Sequence, residues 1–205
     1  KIEVTSAGFI NLGVGLFDHG QGSTGSPFVV RGLAIALPSS GIVGRGGLRH
    51  DFRGNWFCVD ALGQSLDFSQ PCSVFDLGGF NRSIQVGGPN PADRNVIAGG
   101  GRDLSGQPGG GTNRLRVNSI VSERGSILLQ GNLIGLALDG STPLPMRDPF
   151  IVQTGDDSFD TPDIRILDNR FARATGNFSG GFGGTLQFSV SRTMTETALI
   201  QGHVF

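Results

Sequence analysis

Apolar positions in this chain come in short runs separated by glycine-bearing turns, and they do not recur at the helical period. The opening, IEVTSAGFINLGVGLF, alternates apolar and small residues at period two, which predicts short strands. Phe28 to Leu37, FVVRGLAIAL, sets Val30, Leu33 and Ile35 around an Arg31-Gly32 bend, and the runs GIVG and HDFRGNWF follow. Each run has the length of one face of a β-solenoid coil.

The stretch from Leu128 to Pro145, LLQGNLIGLALDGSTPLP, gives the fullest form of the pattern: an apolar run, a Gly-Asn turn, a second apolar run and an Asp-Gly turn. Arg53 to Gly63, RGNWFCVDALG, repeats its outline. Leu167 to Phe171, LDNRF, is a looser copy, and QGHVF at 201–205 repeats QGNLI with His203 where the Asn stood. A recurring unit that pairs a short β-type run with a fixed turn predicts an all-β solenoid. An amide at such a turn hydrogen-bonds its counterpart in the neighbouring coil and satisfies turn backbone. Asn55, Asn132 and Asn169 are therefore expected to form a structural ladder. Asn55 and Asn132 stand 77 residues apart and Asn132 and His203 stand 71 apart. Each interval reads as about three coils, giving roughly eight in a single domain over 1–205. Residues 64–83 lose the pattern and are expected to leave the coil as a loop, as are residues 100–112.

Composition sharpens this reading. The 35 glycines predict many turns, and a charged fraction of 16% excludes a charged disordered chain. A formal charge of -1 with dispersed arginines leaves no electrostatic footprint for nucleic acid. No apolar stretch approaches the roughly 20 residues needed to span a bilayer. Lys1-Ile2-Glu3-Val4 has neither the basic nor the apolar region of a signal peptide, so a secreted chain would be in its mature form. Cys58 and Cys72 enclose a short polar segment and are expected to pair, which places the chain in an oxidising compartment, extracellular or at the cell surface. Cys58 occupies the place of Gly135 in the repeat, beside a turn, where a core thiol is less expected.

The wording of the motifs carries a resemblance. IQVGGPNPADRNVIAGG followed by ILLQGNLIGLALDGSTPL resembles bacterial right-handed parallel β-helix repeat proteins of the pectate-lyase-like superfamily. Gly87-Gly88, Arg94 to Ile97 and Gln130 to Gly135 match their repeats in order. The likeness is good over 84–145, fair over 28–63 and weak beyond. It implies a right-handed parallel β-helix, a fold that carries lyases, hydrolases, adhesins and phage spikes alike, so it speaks to architecture more than to activity.

The densest polar cluster is TGDDSFDTPDIRILD, Thr154 to Asp168. Asp156, Asp157, Asp160 and Asp163 are the candidate calcium ligands, and Asp156 with Asp157 the candidate acid and base of a glycosidase. Adjacent residues on a strand point to opposite faces, so both cannot meet one substrate without a bulge. An exposed Asp-rich turn is the simpler reading, with no cofactor required. His19, His50 and His203 lie beside no nucleophile and read as surface or ladder residues. Lys1 is the only lysine, and arginine is a poor general base. Trp56 is the only tryptophan and there is no tyrosine, so sugar-stacking platforms are scarce. These features favour an extracellular structural or adhesive module, without enzymatic activity, over a polysaccharide lyase or hydrolase acting on an acidic glycan. Strand-like residues from Ile2 and the repeat broken at QGHVF lead further to an expectation of head-to-tail self-association into a fibre.

Overall fold

The computed structural model describes residues 2–5, 17–19, 28–36, 39–45, 49–60, 62–63, 72–78, 83–98, 113–117, 126–144, 150–154, 163–172, 186–189 and 198–202. Among them the regular structure is entirely strand, apart from one 3-10 turn at Pro91–Asp93. The first sheet holds β1 (Ile2–Thr5), β4 (Leu33–Ala36), β7 (Trp56–Phe57), β10 (Val96–Ile97), β13 (Leu133–Ile134) and β16 (Arg170–Phe171). The second holds β2 (Phe17–His19), β5 (Ser39–Arg45), β8 (Cys72–Gly78), β11 (Asn113–Val117), β14 (Phe150–Thr154) and β17 (Leu186–Ser189). The third holds β3 (Phe28–Arg31), β6 (Arg49–Arg53), β9 (Ser83–Gly87), β12 (Ser126–Gln130), β15 (Asp163–Leu167) and β18 (Ala198–Gln201). Every pairing within the three sheets is parallel.

Consecutive strands thus fall in rotation into the three sheets, and each circuit of the chain adds one strand to each. No strand pairs with its neighbour in sequence, because a parallel partner requires a long return path. The described strands make six circuits, which corrects the expectation of roughly eight. The error came from taking the interval between Asn55 and Asn132 as three coils. It holds two, since Asn95 stands between them as a further rung, 40 residues from the one and 37 from the other.

Within the segment 64–83 the expectation is corrected for residues 72–78, while 64–71 and 79–82 lie outside the described residues. The whole segment was expected to leave the coil, yet Cys72–Gly78 forms β8 and pairs with β5 on one side and β11 on the other. CSVFDLG carries no repeat signature; the backbone edges of its two neighbours supply what its sequence does not announce. Residues 100–112 lie outside the described residues.

The core is built from columns in register. On the inner face of the third sheet, Val30, Phe52, Val86, Leu129 and Ile166 stack rung on rung, and His50, Ile84, Ile127 and Ile164 form a second column beside them. All nine side chains are buried. His50 is therefore a ladder residue, its ring parallel to that of Phe52 with centroids 6.2 Å apart. In the first sheet Phe57, Ile97, Ile134 and Phe171 make a third buried column. A fully buried side chain of this kind is worth about 1.5 to 3 kcal/mol, and it is earned only when the next circuit has closed over it.

Candidate functional site

The polar residues that the fold draws together most tightly lie at the corner between the third sheet and the first. There the chain leaves a strand through a residue with left-handed backbone, places one asparagine, and enters the next strand. Gly54 and Gly131 hold the left-handed position with φ of 63° and 69°, and Asp168 adopts the same conformation at φ 53°. A Cβ on Gly131 would lie 2.6 Å from the carbonyl oxygen of Gly88, so glycine is needed there for space as well as for backbone freedom.

The asparagine is Asn55, Asn95, Asn132 and Asn169 in successive circuits, each fully buried, and of the four only Asn95 follows a residue with extended backbone, Arg94 at φ -63°. The Asn132 Oδ1 accepts from the Asn95 backbone amide at 3.3 Å and from the Asn95 Nδ2 at 2.9 Å. Its own Nδ2 donates to the Val86 carbonyl and to the Asn169 Oδ1, both at 2.9 Å, while its backbone amide donates to that same Oδ1 at 3.0 Å. Asn95 is bonded in the same way to Asn55, to the Phe52 carbonyl and to Asn132. Asn55 ends the described run by accepting from the Leu33 amide and donating to the Val30 carbonyl. Both amide hydrogens and the carbonyl oxygen of each interior rung are in use, the condition under which a buried polar network is stable.

Of the residues singled out from the sequence, the structure brings Asn55, Asn132 and Asn169 together and adds Asn95, which sequence reasoning missed as a rung. The signal was present in Arg94-Asn95-Val96-Ile97. It was obscured because Arg94 replaces the usual glycine and an insertion, Gly88–Asp93, precedes it. That insertion is held in place by the Gly54 amide donating to the Asp93 carbonyl. Asp163 is exposed and paired with Arg165 at 3.0 Å. Asp156, Asp157 and Asp160 lie outside the described residues, so the calcium and acid-base candidates are not assembled among the described ones. Cys58 is fully buried with φ of 60°, close to the 71° of Gly135, whose place in the repeat it takes.

Outside the first sheet, the segment Leu136–Leu144 folds back as a turn. The Leu144 amide donates to the Gly135 carbonyl, the Ala137 amide to the Thr142 carbonyl, and the Gly140 amide to the Ala137 carbonyl. The Asp139 carboxylate closes it, accepting from the amides of Ser141 and Thr142, each at 2.8 Å, and from the Thr142 hydroxyl. The Thr142 hydroxyl and then the two amides lower its pKa from 3.8 to about 2. Leu136 and Leu144 are buried by this fold-back. Trp56 stands in register with Ala34 and Val96 and packs half-buried against the core, so the sole tryptophan serves packing.

No protein-family model, no characterised protein and no solved structure matches the chain. The β-helix resemblance rests on its motifs alone. Those motifs, Gly87-Gly88, Arg94 to Ile97 and Gln130 to Gly135, all fall at the asparagine corner in two successive circuits.

Two outcomes test this geometry. Asn132→Ala should destabilise the protein by about 3 kcal/mol, since it leaves the Asn95 amide and the Val86 carbonyl unmet in the interior. Asn132→Asp should be no better, because it removes both donated bonds and sets an oxygen against two acceptors. Thermal melts of both variants within error of the wild type would remove the argument. For Asp139, the folded pKa lies below the unfolded value, so its contribution is whole above about 3.8 and is lost as pH falls toward 2. The difference in melting temperature between wild type and Asp139→Asn should shrink over that window. A difference that is constant across it would contradict the assignment.

Proposed function

We propose that this chain is a right-handed parallel β-helix acting as a rigid extracellular module, structural or adhesive, with its surfaces available for contact. The handedness follows from the general rule that parallel crossovers within one sheet are right-handed in nearly all proteins. The observation that carries the functional reading is where the polar groups are spent. The buried asparagines serve backbone, Asp139 and Asp60 close turns, and Asp51 and Asp163 are ion-paired to arginines. Such a distribution suits a molecule whose task is shape.

The extracellular placement includes a bridge between Cys58 and Cys72, the two cysteines of the chain. It is supported by Cys58 being buried and not a free thiol, and by β8 beginning at Cys72. Assembly into a larger extracellular structure belongs to the same proposal. The exposed Leu62 and Leu138, the latter close to Gly63, favour it.

The deciding measurement is the release of unsaturated or reducing sugar ends from pectate, alginate and related acidic glycans. None is expected. Sustained release by the pure protein would replace this reading with that of a polysaccharide lyase or hydrolase. Intact mass under native, non-reducing conditions should show no alkylatable thiol, whereas two free thiols would remove both the bridge and the main support for an oxidising compartment.

A further inference from the structure

The outer face of the third sheet carries a charge pattern that complements itself. Register sets its side chains in rows that cross the sheet from β3 to β18. One row is Arg49, Ser83, Ser126 and Asp163 on β6, β9, β12 and β15. The next is Val29, Asp51, Gln85, Leu128, Arg165 and Leu199, one from each strand of the sheet. Counted inward from the two ends, every charge in these rows is matched by its opposite: Arg49 by Asp163, and Asp51 by Arg165. The ends of the longer row are both apolar, with Val29 46% and Leu199 47% exposed. Arg49 is exposed and makes no ion pair among the described residues, and Asp163, beside Arg165, is half exposed.

We propose that two copies of this chain pair face to face through this surface, about a two-fold axis that runs parallel to the strands between β9 and β12. Half a turn about that line exchanges β9 with β12, β6 with β15 and β3 with β18, and it keeps each row in place. Arg49 then lies over the partner's Asp163 and Asp51 over the partner's Arg165, each contact being made twice, as an isologous interface requires. Val29 meets the partner's Leu199, so exposed apolar side chains leave water at both ends of the patch. Its middle is small and polar, Ser83 and Ser126 joined hydroxyl to hydroxyl at 3.1 Å, which lets the two sheets approach. Arg31 and Arg53 are already held by Asp51, at 2.6 and 2.7 Å, and lie over the partner's Gln201 and the partner's Leu167, which carry no charge. The two copies of Arg53 stand three strands apart, about 14 Å, beyond the Debye length of about 8 Å at physiological salt.

The inference rests on the reading of an assembling module and names its partner as a second copy. It differs from head-to-tail association, because a two-fold contact closes at two copies whereas a fibre does not close. The patch measures about 24 Å across the strands and about 13 Å along them, well short of the roughly 800 Å² per partner of stable complexes. Pairing is therefore weak and reversible, and salt opposes it.

Sedimentation velocity of the chain from about 1 μM to about 1 mM follows the equilibrium. A shift from 21.4 kDa toward twice that mass as concentration rises, reversed by salt, is expected. Arg49→Asp and Asp163→Arg should each weaken the dimer about a hundredfold, since each sets like charges together twice, with little change in melting temperature. An equimolar mixture of the two variants should recover the dimer, because each copy then offers the charge that the other lacks; mixing cannot rescue a defect of folding. The inference is overturned by a monomer at every concentration, by growth past two copies into fibres, or by failure of the mixture to associate. A strict monomer would leave the reading of a non-enzymatic module standing, whereas release of sugar ends would remove that reading and leave the dimer.

Discussion

The structure depends on how a parallel chain turns a corner without leaving its backbone unpaired. Along the interior strands, backbone amides and carbonyls are paired with the circuits on either side. At the passage from the third sheet to the first, the backbone amides of Asn55, Asn95 and Asn132 donate to side chains and not to backbone. An asparagine one circuit away takes each of them on its Oδ1, as Asn169 does for Asn132 and Asn132 for Asn95. Each bond is worth only about 1 kcal/mol net, but a corner left unmet in the interior would cost about 1 to 3 kcal/mol. Because the interior rungs Asn95 and Asn132 each serve neighbours on both sides, the ladder acts as one unit.

Register follows from that corner. Once Asn95, Asn132 and Asn169 lie over one another, Leu129 must lie over Ile166 and under Val86, and the apolar columns assemble without a separate specification. A slip of one residue would turn each column outward. The same register also dictates the outer face, where Arg31 meets Arg53 and requires Asp51 between them. Core and surface charge are therefore consequences of one alignment. Since the rungs are 37 to 40 residues apart, nearly all of this is non-local, and folding must close long stretches of chain before any column forms.

Much of the architecture was legible in the residues. Period-two runs and recurring Gly-Asn turns pointed to strands and to stacked amides, because side-chain alternation and left-handed backbone are local requirements that local sequence must meet. The alignment of Cys58 with Gly135 is of this kind, for both hold φ near 60° to 70°. What could not be read was the length of a circuit. Asn95 follows an arginine and a proline-bearing insertion, so its rung did not resemble the others, and the number of circuits was overstated in consequence.

Sequence by itself determined the strand type, the turn chemistry and the presence of a repeating asparagine corner, since each is decided within a few residues. Only the tertiary structure decided that β8 is a strand, that the described strands make six circuits rather than eight, and which charges share a face. The physical reason is common to all three. Loops between sheets vary in length while the strands they join are held in register by hydrogen bonds to neighbouring circuits. Distance along the chain therefore carries no fixed relation to position in the stack, and Asp51 meets Arg31 because of the pairing of β3 with β6, not because of any spacing that can be counted.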